Sequence, residues 1–476
     1  MPDESTRRNF LKLSAAGLAA TAAGRVSLAE SAPAGGASSS TLEVWVTNQK
    51  SRCSRVGTIA WKPHSAAPDG YVIALDPKKQ FQTVLGFGAA FTDASCYMFN
   101  QLSPAARGQL FHEMFHPSEM GLNVCRTCMG ASDYSTSVYS YDEGEPDPQL
   151  ERFSIAHDRD YILPMLREAR SANPEMFLFS SPWSPPGWMK SGGSMLGGSM
   201  RRRYIPNYTQ YFIKFLQAYA AEGVPVQAVT PQNEVDTDHD GRMPACIWPQ
   251  EYEIEFVQRL GPALRQNGLS TEIWILDHNY NLWGRAVCEL VDPAVRQYSN
   301  AVAWHGYAGG AEMMTRFREF HPDAAMHWTE GGPDYTAPDY LTEWVRWAQT
   351  FTEVLRNSCQ SITGWNLALD EQGRPNLGPF PCGGVVTINS HSKEISRSGQ
   401  YWALAHFSRF IRRGARRFAS ESSMQGVGHV AVEHPDGRKV LVLTNSAAAQ
   451  TASVQLGDRL AEVPLDENSV TTLVWS

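Results

Sequence analysis

Val226-Gln227-Ala228-Val229-Thr230-Pro231-Gln232-Asn233-Glu234 is the stretch whose reading decides the fold. Its first five residues form a short, β-branched apolar run, too brief for a helix and closed by a proline, so it reads as a buried strand. Just upstream, Asn207–Glu222 carries Tyr211, Phe215 and Tyr219 at every fourth position, which puts three aromatic rings on one helix face. Outward from this pair the same alternation recurs. The strand-like runs are Thr83–Phe87, Leu122–Cys125, Met176–Ser180, Val226–Thr230, Glu272–Leu276, Ala301–Trp304, Ala325–Trp328 and Ser361–Trp365. A helical stretch follows each, as at Ser103–Phe115, where Ser103 supplies an N-cap and Pro104 the first helical position. Strands alternating with helices build a parallel sheet, and eight such units over roughly 330 residues predict a (β/α)8 TIM barrel. A doubly wound sheet is the weaker alternative, because no G-x-G-x-x-G turn opens any of the helices.

The two ends of the chain differ from this middle. Thr6-Arg7-Arg8-Asn9-Phe10-Leu11-Lys12, a mildly apolar stretch and Ser27-Leu28-Ala29 resemble a twin-arginine export signal over residues 1–29, with periplasmic or extracellular delivery. A small-residue tether spans 30–40. Strand-like pieces at Leu42–Thr47 and Tyr71–Leu75 place N-terminal strands in 41–77, ahead of a barrel over 78–413. Beyond it, Val427–Val432, Lys439–Asn445, Ala452–Leu456 and Val470–Trp475 alternate as short strands, with a hairpin turn at His434–Arg438. Residues 414–476 therefore read as an accessory all-β sandwich that the N-terminal strands join.

The 476 residues are 42% hydrophobic and 19% charged, with a formal charge of −8, and this balance excludes the basic surface that nucleic acid requires. No segment has the eighteen consecutive apolar residues of a stable membrane anchor. Eight cysteines in this length do not make a disulfide framework; Cys125-Arg126-Thr127-Cys128 lacks a second pair and reads as buried thiols. The oligomeric state is not legible.

A barrel of this class carries its chemistry at the carboxyl ends of its strands. After the fourth run come Asn233-Glu234, after the seventh Thr329-Glu330, after the sixth His305-Gly306-Tyr307. The eighth ends in Trp365-Asn366, the second leads into Arg126 and Asp133, and the third into Trp183. Two carboxylic acids among aromatic faces suit glycoside cleavage, which needs one carboxyl to protonate a leaving oxygen and a second to attack the anomeric carbon. That chemistry implies no cofactor and no metal. Asp236–Gly241 imitates a calcium loop but has Ile247 at the twelfth position, so it reads as a substrate-facing loop or a solvated turn. The glycine-rich stretch 191–198 reads as a lid or a plain loop, and Glu343 as a solvated helix residue.

In combination, several stretches carry a specific resemblance. They are Gly86-Phe87-Gly88 to Thr92-Asp93-Ala94, Ser181-Pro182-Trp183-Ser184-Pro185 with Trp188-Met189-Lys190, Asn233-Glu234, Trp328-Thr329-Glu330, Trp365–Leu369 and Tyr401-Trp402 to His406-Phe407-Ser408. From about Val84 to the C-terminus the chain resembles glycoside hydrolase family 30, the glucosylceramidase-like retaining glycosidases. The resemblance implies a barrel with a β-sandwich built from both termini, and double displacement through a covalent glycosyl-enzyme. It implies Glu234 as acid/base, Glu330 as nucleophile and Asn233 as holder of the sugar 2-hydroxyl. Tyr307 and Arg126 become hydrogen-bonding neighbours of Glu330, His305 an orienting residue, and Asp133, Trp183 and Trp365 contacts to the cleaved sugar. The implied substrates are β-D-glucosides, either glucosylceramide-like glycolipids, which would place the chain in sphingolipid metabolism, or β-1,6-glucan. A β-xylosidase, a β-1,6-galactanase and a non-catalytic carbohydrate-binding barrel remain the alternatives. Val235 replaces a proline common in the family, and Gly306 a tryptophan of the human-type enzyme; both are expected in the wall of the site.

Overall fold

The computed structural model describes residues 40–63 and 72–476. The expected export signal, nearly all of the expected tether and Tyr71 lie outside the described residues.

The protein is a (β/α)8 barrel with an all-β sandwich. The barrel strands are Gly86–Phe91, Val124–Cys128, Phe177–Ser181, Ala228–Val229, a fifth in two pieces (Glu272–Ile273 and Ile275–Asn279), Ala301–His305, Ala325–Glu330 and Ser361–Gly364. All pair in parallel with their neighbours, the first beside the eighth, and the sheet closes through the divided fifth strand. Its first piece pairs with strand four and its second with strand six, with Trp274 between. Nearly every strand residue is buried, as expected where helices cover one face and the barrel interior fills the other.

The first strand corrects the sequence reading. Thr83 ends a different strand, Val72–Thr83, and the barrel strand begins three residues later at Gly86. Gly86-Phe87-Gly88-Ala89-Ala90 lacks the β-branched residues that mark the other runs. Gly88 has a packing cause: a Cβ there would stand 2.0 Å from the Val124 carbonyl oxygen of the adjacent strand. The helix Pro104–Phe115 begins as expected, with the Ser103 hydroxyl accepting from the Ala106 amide.

The sandwich is one ten-stranded sheet that includes Thr41–Thr47, Val72–Thr83 and the C-terminal Ser469–Trp475. Thr41–Thr47 lies against Ser469–Trp475, so the two ends of the described chain are joined by a strand pair. The period of two sorts the side chains of Lys439–Asn445: Leu441 and Leu443 enter the sandwich core, while Val440 and Val442 pack on the barrel's hydrophobic cluster. Four strands of this sheet escaped the sequence reading, one of them the two-residue Lys62–Pro63. Ser54–Ala60 is almost wholly exposed, Arg459–Leu465 contains Pro464, and Arg416–Glu421 opens on two arginines. Only Arg459–Leu465 alternates, with Ala461, Val463 and Leu465 buried, and its proline argues against a strand.

Candidate active site

At the carboxyl ends of the strands lies a cavity of about 450 Å3, lined by Asp133, Trp183, Glu234, Tyr307, Glu330 and Trp365 among others. The fold thus brings six of the nine expected residues to one cavity. Arg126, Asn233 and His305 stand behind it and hold the lining in place.

Arg126 organises this layer. Its guanidinium is fully buried and donates to Glu330 Oε2 at 2.6 Å, Asp277 Oδ2 at 2.7 Å, Asn233 Oδ1 at 2.8 Å and Ser181 Oγ at 3.1 Å. One face lies over the Trp183 ring at 4.6 Å, and Trp183 in turn stacks on Trp365 with centroids 4.9 Å apart. A planar cation with five donors can serve four oxygen ligands and a ring at once, which a lysine could not. Tyr307 completes the grip on Glu330, its hydroxyl donating to Oε1 at 3.1 Å.

Glu234 sits in a different setting. Its backbone is left-handed, with φ +53°, a conformation that costs a non-glycine residue about 1–3 kcal/mol and that surrounding structure must hold. Its amide donates to the Asp277 carbonyl. Three imidazoles surround the carboxylate: His239 Nε2 is 2.7 Å from Oε2, His305 Nδ1 is 3.3 Å from Oε1, and His278 Nδ1 is 3.7 Å from Oε1. The His305 ring also reaches the other carboxylate, with Nε2 3.8 Å from Glu330 Oε2, so a single imidazole touches both.

Burial acts to raise the Glu234 carboxyl, but hydrogen bonds from His239 and His305 and the nearby imidazolium charges outweigh it and hold the group ionised. Burial pushes Glu330 up against the pull of His305 and Arg126, and the negative charges of Glu234 and Asp277 add to that push. His305 is raised to about 9: the charge of Glu330 and bonds to Asp277 and Glu234 overcome its desolvation. Asp133 lies well above the carboxylate range through burial and the charges of both glutamates, and its Oδ1 has no hydrogen-bond partner.

Sequence reasoning missed Asp277, His278 and His239. Asp277 is fully buried and accepts from Arg126, Ser181, Thr230 and Thr329, which, with the Arg126 charge, keep it ionised against burial. Asp277 and His278 directly follow the fifth run, so reading beyond that strand would have found them. The register breaks there, between Leu276 and His278, with Leu276 and Asp277 both at positive φ. His239 comes from the Asp236–Gly241 loop, which faces the cavity and resolves the two readings left open for it.

Three expectations change. Val235 is fully buried in the barrel core and does not line the cavity. Glu343 is 4% exposed and accepts from the Trp347 indole at 2.8 Å, so it is no solvated residue. The glycine-rich stretch is pinned: buried Lys190 donates to the carbonyls of Met195 and Ala245, and the Gly198 amide donates to Asp238. Cys125 and Cys128 are buried free thiols, the former pushed up to about 12 by burial.

The glycosyl hydrolase family 30 TIM-barrel domain matches residues 84–411, and the family's β-sandwich domain matches residues 414–473. An endo-1,6-β-D-glucanase of Neurospora crassa is 33% identical over 390 residues, covering 78% of this chain and 80% of that protein. The lysosomal acid glucosylceramidase of Mus musculus is 30% identical over 405 residues, 80% of this chain and 78% of that one. A solved endo-β1,6-glucanase superposes with a TM-score of 0.82 at 29% identity, covering 92% of this chain and all of that one.

Proposed function

The chain belongs to glycosyl hydrolase family 30 and is a retaining glycoside hydrolase, and on that premise we propose that Glu330 is its nucleophile, Glu234 its acid/base, and a β-1,6-linked glucan its substrate. The observation that carries this reading is the pair of glutamates closing strands four and seven on one cavity. One of them is gripped by a permanent cation, the other ringed by groups that exchange protons.

The reaction needs charge on Glu330 and a proton on Glu234. The His305 imidazolium, 3.3 Å from Glu234 Oε1, can pass its proton to that carboxylate, which leaves Glu234 neutral and ready to act as the acid. Arg126 cannot give up its proton and remains to hold Glu330 as an anion. Glu330 then attacks the anomeric carbon as Glu234 protonates the departing oxygen, and Glu234 next takes a proton from the water that releases the sugar. Trp183 and Trp365 offer faces to the ring, and the unpartnered Asp133 oxygen is free for a sugar hydroxyl.

β-1,6-Glucan is supported by the named activities of the Neurospora relative and of the solved neighbour. The test is a panel of β-1,6-glucan, glucosylceramide, aryl β-glucoside and aryl β-xyloside, with the first-formed anomer followed by NMR. Turnover of glucosylceramide in preference to the glucan would replace the substrate reading and extend it to sphingolipid breakdown. Initial inversion would overturn the double displacement. We also assign residues 1–29 to twin-arginine export, on the strength of Arg7-Arg8 and the Ser27-Leu28-Ala29 pattern. Arg7→Lys with Arg8→Lys should leave the protein in the cytoplasmic fraction.

A further inference from the structure

We propose that Glu234, His278 and His305 form a binding site for a divalent transition cation of the Zn2+ class, and that occupancy takes the Glu234 carboxylate out of proton transfer. The three side chains offer one ligand atom each, all within 4.8 Å of one another. Glu234 Oε1 is 3.3 Å from His305 Nδ1 and 3.7 Å from His278 Nδ1. Ligands bonded at 2.0–2.2 Å to one tetrahedral cation stand about 3.3–3.6 Å apart, so the two separations from Glu234 Oε1 are already close to those of such a site.

The outer groups make the same case. Each histidine is anchored at its far nitrogen by its own carboxylate: His278 Nε2 by Asp236 Oδ1 at 2.5 Å, His305 Nε2 by Asp277 Oδ1 at 3.1 Å. A carboxylate behind the imidazole is the arrangement that orients metal-bound histidines and raises their basicity. It turns both Nδ1 atoms toward Glu234. The Nδ1 of His278, a residue only 5% exposed, has no hydrogen-bond partner, a cost that a bound cation would remove. His239 contacts the other carboxylate oxygen, Oε2, leaving Oε1 for the cation. Glu234 and His278 both line the cavity, so a fourth position opens to water. Two imidazoles with one carboxylate suit Zn2+, Cu2+ or Ni2+ and disfavour Ca2+ and Mg2+, which take all-oxygen sets.

The binding claim stands by itself; only the loss of activity rests on Glu234 being the acid/base. The full chain, stripped with a chelator, is titrated with Zn2+ by calorimetry and with Co2+ by visible absorption. One equivalent should bind, and Co2+ should give the intense bands of a tetrahedral site. His278→Ala should weaken binding at least tenfold. Asp236→Asn, at a half-exposed carboxylate, should weaken it about 10–100-fold with an unchanged thermal melt. Cys288→Ser, which removes an exposed thiol, should leave the affinity as it is. Absence of a stoichiometric site, or wild-type affinity in His278→Ala and Asp236→Asn, overturns the proposal. Aryl β-glucoside turnover should fall in step with Zn2+ occupancy. Binding that needs His278 and Asp236 while turnover continues would keep the site, remove its inhibitory consequence and break the role given to Glu234.

Discussion

Glu330, at the end of the seventh strand, is gripped by a guanidinium and a phenol; Glu234, at the end of the fourth, is ringed by three imidazoles. The guanidinium and phenol keep their protons throughout the accessible pH range, so the Glu330 side is an electrostatic fixture. An imidazole can hold a proton or give it up, so the Glu234 side is a reservoir. One rim of one barrel thus holds two identical side chains in opposite service, and the difference lies wholly in what each touches.

The comparison breaks first at the nucleophile. Glu330→Gln should abolish turnover, a loss on the order of 10^4-fold or more, because the covalent step has no substitute. Glu234→Ala should lose about 10^2–10^4-fold on natural glucan and much less on aryl glycosides, whose leaving groups need no proton. Equal losses of the two variants on both substrates would erase the distinction between the sides.

The shared support below them is next. Asp277→Ala leaves Arg126 without one of its two buried carboxylates and should cost about 3–5 kcal/mol in urea unfolding. A cost under about 1 kcal/mol would show that Glu330 and Asn233 suffice to hold the guanidinium.

His305 links the sides and predicts a pH signature. Its pKa is raised from 6.5 to about 9, so its contribution to stability is complete below pH 6.5 and is lost as pH rises through 9. At 1.36 kcal/mol per unit that is about 3 kcal/mol. The urea midpoint should fall over this window in the wild type and stay flat in His305→Asn; parallel slopes would refute the assignment. A smaller effect belongs to the phenol. Tyr307→Phe removes a hydrogen bond to a charged oxygen and should lower kcat/KM about 10–100-fold. The smallest is a shift of profile: His239→Gln removes a bond that lowers Glu234, so the alkaline limb of kcat/KM should move to higher pH. A shift to lower pH would mean that His239 does not contact the ionised acid.

Much of this molecule was legible in one dimension. The apolar runs located the barrel strands because parallel strands, buried on both faces, must be continuously hydrophobic. Glu234 and Glu330 were legible because each ends such a run. The first strand was misplaced by three residues because its glycines answer to Val124, a neighbour 36 positions away that no local pattern displays. Ser54–Ala60 was invisible because an exposed edge strand has no buried face to alternate. Asp277 marked the end of the fifth run but looked like any loop aspartate; what distinguishes it is Arg126, 151 residues earlier.

By itself, then, the chain determined its periodicity, the stopping points of its strands and the residue types standing there. Those are local matters of backbone propensity and burial. The tertiary structure alone decided which of those residues meet, because closing the barrel brings ends distant in sequence around a single rim. It also decided what each glutamate does, since a carboxylate's charge at a given pH is set by its burial and by the cations within a few ångströms of it.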